Sequence, residues 1–134
     1  MWYRLIQVSC WFWYLLGCIR FGIWPGAIKW YTSMDIEEEN IGGRCMVFTD
    51  DPRYQNVVWY TLRFNPKYYA MRPWFFLYEI IRHEMCHLFD CHLHGTPVRW
   101  FGNREVWKWH RASWMRVMHG LGCRRPSWRV KFHV

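Results

Sequence analysis

From Trp2 to about Phe21 nearly every position is apolar, and only Arg4, Gln7, Ser9 and Arg20 interrupt or bound the run. No Pro breaks it, so it predicts one bulky helix capping a core, ended by Trp24-Pro25-Gly26. Ile28 to Met34 reads as a short extended or helical piece, and the acidic Asp35 to Glu39 as a solvated loop or helix start. Beyond Ile41-Gly42-Gly43 the pattern changes. Arg44 to Thr49 is rich in Val and Phe, Asp50-Asp51-Pro52 is turn chemistry, and Val57 to Phe64 is β-branched and aromatic with features of period two. These two segments predict an antiparallel hairpin closed by Asn65-Pro66. Pro73 suits a first helical turn, and with no Gly or Pro from Trp74 to about Cys91 a long helix is expected there. A final helix is predicted from about Arg104 to Leu121, stopped by Gly120 and Gly122, with Pro126 preventing a restart. The expected fold class is α+β, a small antiparallel sheet packed against an N-terminal helix, the helix over 74–91 and a C-terminal helix.

Length and composition narrow this picture without changing it. With 134 residues one domain spanning 1–134 is expected, and 52% hydrophobic residues, 12 of all residues being Trp, exclude general disorder. Charge is more informative. Eighteen Lys and Arg against ten Asp and Glu give +8, yet residues 1–98 carry nine of each sign, so the excess lies wholly in residues 99–134, where Glu105 is the one acid. That asymmetry points to a polyanion, nucleic acid before membrane, with a solvated basic face as the alternative. Arg124, Arg125, Arg129 and Lys131 cluster around Trp128, a set suited to neutralising phosphates and stacking a base of single-stranded DNA. Trp100, Trp107 and Trp109 also lie among cations, although core packing accounts for Trp107 and Trp114.

Six cysteines, Cys10, Cys18, Cys45, Cys86, Cys91 and Cys123, contain no C-x-x-C pair, which excludes a zinc ribbon or thioredoxin-type motif and fits thiols in a reducing cytoplasm. The N-terminal run shares features with an export signal, and Leu15-Leu16-Gly17-Cys18 with a lipoprotein box. Its interruptions leave it short of the ~18 uninterrupted apolar residues of a membrane span, so a core-capping helix is the reading adopted and no membrane partner is expected.

The chemistry lies in His83-Glu84-Met85-Cys86-His87, an H-E-x-x-H arrangement within the long helix. Histidines four apart differ by ~40° around a helix, so both imidazoles reach one ion while Glu84 flanks them. Zinc bound there would lower the pKa of a water to near ~7, and Glu84 would act as general base toward a peptide bond. A pair of surface histidines on an amphipathic helix is the plain alternative. A third ligand is needed. The metzincin pattern fails, because Leu93 stands where its histidine would be and Asp90 where its glycine would be. His92 and His94 are expected in the Gly95-Thr96-Pro97 loop. On the final helix, His110 shares a stripe with Trp107, Trp114, Val117, Met118 and Leu121, whereas His119 lies roughly 180° away. His110 is therefore the expected third ligand, with Glu105 as the alternative. Asp90 is a candidate acceptor that orients His87 or His83, or else a solvated helix-end acid.

These residues resemble the SprT-like (Spartan-related) metallopeptidases over most of the chain. Trp30 and Met34, Gly42-Gly43 and a strand, then Leu62-Arg63-Phe64-Asn65-Pro66 are similar to the family's passage from first helix to a strand ending in Leu-Asn-Pro. His83-Glu84-Met85-Cys86-His87-Leu88 resembles its metal helix, and His110-Arg111-Ala112-Ser113-Trp114 its third-ligand segment, with Arg111-Ala112 in place of the usual Gly-Pro. The resemblance implies His83, His87 and His110 as zinc ligands, Glu84 as catalytic acid/base, and a protein or peptide substrate, with DNA-bound proteins a candidate class. Lacking the cysteine ribbon of many members, the chain looks like a short bacterial or phage-encoded form. The competing function is a nonenzymatic DNA-binding module in which zinc is structural and the basic C-terminal third does the binding. A hydrolytic site keeps an open position on the metal, whereas a structural one closes with four protein ligands, for which Cys86 and Cys91 are the nearest thiols.

Overall fold

In the computed structural model, which describes residues 2–123, the first apolar run forms one helix, α1 (Trp2–Phe21). Ile6, Cys10, Trp13, Tyr14 and Cys18, spaced as one helical face, enter the core. Burial of each large apolar side chain contributes about 1.5–3 kcal/mol relative to exposure. Gly17 marks the closest approach of this helix to the centre. A Cβ there would stand 2.2 Å from Cε2 of Phe89, so glycine sets the distance between the two helices.

The sheet contains β1 (Trp30–Ser33), β2 (Gly43–Thr49) and β3 (Val57–Phe64) in the order β1-β3-β2. β2 and β3 form the expected antiparallel hairpin, with Cys45 opposite Leu62. The ambiguous segment before the acidic loop resolves as a strand, because β1 pairs parallel to β3 from Trp30↔Tyr60 to Ser33↔Arg63. Asp35 to Glu38 has no regular structure, and Arg63 holds the Asp35 carboxyl below its ordinary pKa through a 2.9 Å bond. The α+β class holds, with a mixed rather than wholly antiparallel sheet.

Asn65-Pro66 does more than end a strand. Asn65 caps a short helix, α2 (Pro66–Met71), accepting from the Lys67 amide at 3.0 Å, while its Nδ2 donates to the carbonyls of Glu38 and Ile41. An Asn before a Pro is an N-cap followed by a proline in the first helical turn, a signal the sequence carried openly. The long helix then runs through α3 (Pro73–Phe75), a π-helical turn (Phe76–Ile80) and α4 (Ile81–His94). Within the π turn the Leu77 carbonyl accepts from Ser9 Oγ and Trp13 Nε1, both at 3.0 Å, which ties α1 to this helix. Helix α4 ends at Gly95, where φ is +80°, so His92 and His94 lie in its last turn and not in the loop expected for them.

The largest departure is C-terminal. The helix expected from Arg104 begins only at Ala112, as α5 (Ala112–Gly120), and a hairpin of β4 (Val98–Phe101) and β5 (Arg104–Trp107) precedes it. Gly102, at the first central position of the two-residue turn, has φ +64°, the glycine placement of a II′ turn. Trp107 thus belongs to a strand, while Trp114, Val117, Met118 and Leu121 do form the buried side of α5 and its end.

Candidate metal centre

Helix α4 is buried along nearly its whole length, and its His83 and His87 project from adjacent turns of one face. His110 reaches them from the turn between β5 and α5, not from a helix stripe. The separations are 3.2 Å from His83 Nε2 to His110 Nε2 and 3.2 Å from His87 Nε2 to His83 Nε2. All three ligand atoms lie within 4.8 Å of one another. Two nitrogens bound to one tetrahedral zinc at ~2.0–2.1 Å stand about 3.3 Å apart, so this spacing suits such an ion. Burial pushes the His110 imidazole down to about 4, which keeps it in the neutral, ligating form at physiological pH.

An indole supports the cluster. Trp114 is fully buried beneath all three imidazoles, with ring centroids 4.7 Å from His83, 5.0 Å from His87 in stacked geometry, and 4.7 Å from His110. Trp109 meets the His87 ring edge-on at 5.3 Å. These contacts restrict the imidazole rotamers, and restricted rotamers make a ligand set pre-organised.

Glu84 is fully buried, and burial raises its pKa well above the ordinary carboxyl value; the Cys45 amide and the Arg44 charge act in the opposite sense, more weakly. Neither carboxylate oxygen has a hydrogen-bond partner of ordinary geometry among the described residues. Its closeness to β2 depends on Gly43, where a Cβ would stand 2.9 Å from Glu84 Cγ and 3.1 Å from Ile80 Cγ2. Glu84 and His87 open on a cleft of about 280 Å³ bounded by Arg44, Met46 and Val47 of the edge strand β2 and by Trp107 and Trp109. A larger hollow of about 690 Å³, between α1 and β1, holds none of these groups.

The alternative ligand Glu105 is exposed on β5, where it bonds the Tyr54 hydroxyl and raises its pKa, and it is not part of the histidine cluster. The Asp90 carboxylate accepts from Arg111 Nε at 2.8 Å and lies 3.1 Å from His94 Nδ1, while Arg111 Nη2 also donates to the Gly95 carbonyl. The residue after His110 is thereby clamped to the end of α4. Nothing in the spacing of positions 90 and 111 announced this pair, because it depends on how the hairpin returns the chain. Arg82 ties α4 to the end of α5 through the Leu121 carbonyl at 3.3 Å. The nucleic-acid candidates Arg124, Arg125, Trp128, Arg129 and Lys131 lie outside the described residues.

Three imidazoles converging beside a buried carboxyl, two of them four apart on one helix, define a candidate metal centre of the H-E-x-x-H class. A model of the SprT-like family matches residues 27–132, and the chain belongs to that family. No curated protein and no solved structure matches it. The family is of metallopeptidase type, which agrees with a histidine group able to hold an ion.

Proposed function

We propose that the chain is a single zinc-dependent endopeptidase domain in which His83, His87 and His110 hold the ion. The observation that carries this reading is the convergence of three Nε2 atoms with a buried carboxyl that lines the same cleft as His87. Zinc in such a site supplies Lewis acidity and a water that ionises near neutral pH. Glu84 accepts a proton from the attacking water at a carboxylate oxygen and returns it to the leaving amide nitrogen as the C–N bond breaks. The open edge of β2 offers backbone groups along which an extended substrate can lie, and the indoles of Trp107 and Trp109 line the other side of the cleft. A purely structural zinc is disfavoured, because neither Cys86 nor Cys91 joins the histidine group among the described residues.

DNA-bound proteins are the proposed substrate class and the cytoplasm the proposed setting, supported by the C-terminal charge and by six buried thiols with no disulfide among them. The test measures metal content and cleavage of a DNA-binding protein with and without single-stranded DNA, on wild type and Glu84→Gln. Glu84→Gln should retain zinc and lose about a hundredfold or more of turnover. Wild-type turnover in that variant would remove Glu84 from the mechanism.

A further inference from the structure

Helix α1 is apolar on two sides. Opposite its core face, Leu5, Val8, Trp11, Phe12, Leu15, Leu16 and Ile19 are 36–81% exposed. At 100° per residue they occupy one continuous arc of about 140°. Trp74 and Tyr78 widen this face, because they share a shallow groove with Leu5, Val8 and Phe12. A helix apolar all round is ordinarily covered all round, and a contiguous exposed patch of this kind marks an interaction surface. Among the described residues nothing covers it.

Charge selects the occupant. Residues 1–34 contain no Asp or Glu, and their cations are Arg4, Arg20 and Lys29. Arg4 and Arg20 bracket the apolar arc about 24 Å apart along the helix axis. A second copy packed α1 against α1 would bring cations against cations, because the helix itself carries no acid. An anionic lipid surface meets both demands at once: its acyl boundary accepts aromatic and aliphatic side chains, and its phosphates lie within reach of long cationic ones. No described helix is long and apolar enough to cross a membrane, so the contact would be with the surface alone.

We propose that this face of α1 binds the surface of an anionic phospholipid bilayer, with the helix lying in the membrane plane. The sequence expectation of no membrane partner rests on span length, which does not reveal that the outer side of α1 is left open. This inference does not depend on the peptidase reading.

Flotation of the full chain with phosphatidylcholine vesicles, with and without phosphatidylglycerol, tests it. Wild type should float with the anionic vesicles, and Leu15→Glu with Ile19→Glu should lower the bound fraction about tenfold or more. Both positions point outward, and circular dichroism and thermal melting check that the variant is folded. Arg4→Gln with Arg20→Gln should weaken binding by about fivefold per cation at low salt, for anionic vesicles only, and serves as the second variant if the first misfolds. No flotation of wild type would overturn the proposal, and so would undiminished flotation of a folded Leu15→Glu, Ile19→Glu protein, which would place binding in the C-terminal cations. Self-association in sedimentation equilibrium that this variant abolishes, without flotation, would assign the face to a second copy. Retention on immobilised polyglutamate that the variant abolishes, again without flotation, would assign it to an acidic protein.

Discussion

Asp90 is 1% exposed, and its carboxylate is held by Arg111 and His94. Truncating Arg111 would leave that buried carboxylate short of a partner, at a cost of about 1–3 kcal/mol. Because Arg111 is bonded next to His110, Arg111→Ala should also weaken zinc binding by about 10–100-fold, as loss of a positioning contact does at other metal sites. Chelator competition and thermal melting on the same variant separate the two effects; a lower melting point with unchanged zinc affinity would make the clamp structural only. Metal analysis decides the ligand set, since His110→Ala should lose zinc while Glu105→Ala keeps it. Zinc retained by the first and lost by the second would restore the glutamate alternative. His83 and His87 were legible from spacing alone, since helix geometry fixes their side. The sequence points to His110 through a helical stripe, whereas in the fold that stripe spans a strand, a turn and a helix, and the residue arrives at the site through the hairpin's return.

Long, strongly patterned elements were the ones written plainly in the sequence. Helix α1, the β2–β3 hairpin and the helix over the metal motif all follow from composition and the absence of breakers. Short elements were not, because each depends on one or two residues. Asn65-Pro66 starts a helix as well as ending a strand, and Gly102-Asn103 turns a hairpin in a stretch whose apolar residues also happen to match a helical period. Two glycines set distances between elements, and both can be tested. Gly17→Val would drive a side chain into the Phe89 ring and should destabilise the fold by about 1–3 kcal/mol or more, read by chemical denaturation. Gly43→Ala places a carbon 2.9 Å from Glu84 Cγ and should reduce turnover more than zinc content. Equal losses of metal and activity would show that the strand shifts the histidines as well.

For the whole molecule, the +8 charge and the buried thiols make separate predictions. If about four phosphates are engaged, log affinity for single-stranded DNA should fall against log salt with a slope of about −3, and Arg124→Glu with Arg125→Glu should flatten it. Unchanged affinity in that double reversal would reduce the C-terminal cations to a solubilising role and leave the peptidase reading intact. All six cysteines are buried, and burial pushes the Cys10 thiol up to about 12. The native protein should therefore resist thiol reagents near neutral pH, and the thiols should be titrated only on unfolding; rapid modification of the native state would contradict the packing of α1 against α4.

The Asp90–Arg111 clamp also has a consequence for descent. A proline in the turn after the third-ligand histidine, as in the family's usual Gly-Pro, would fix φ there without help from an acid at the end of the metal helix. In this chain the turn is held by an ion pair, so neither partner can drift alone. Among relatives, an arginine after the third histidine should be inherited together with an acid at the position of Asp90, and a return to Gly-Pro should free that position to vary.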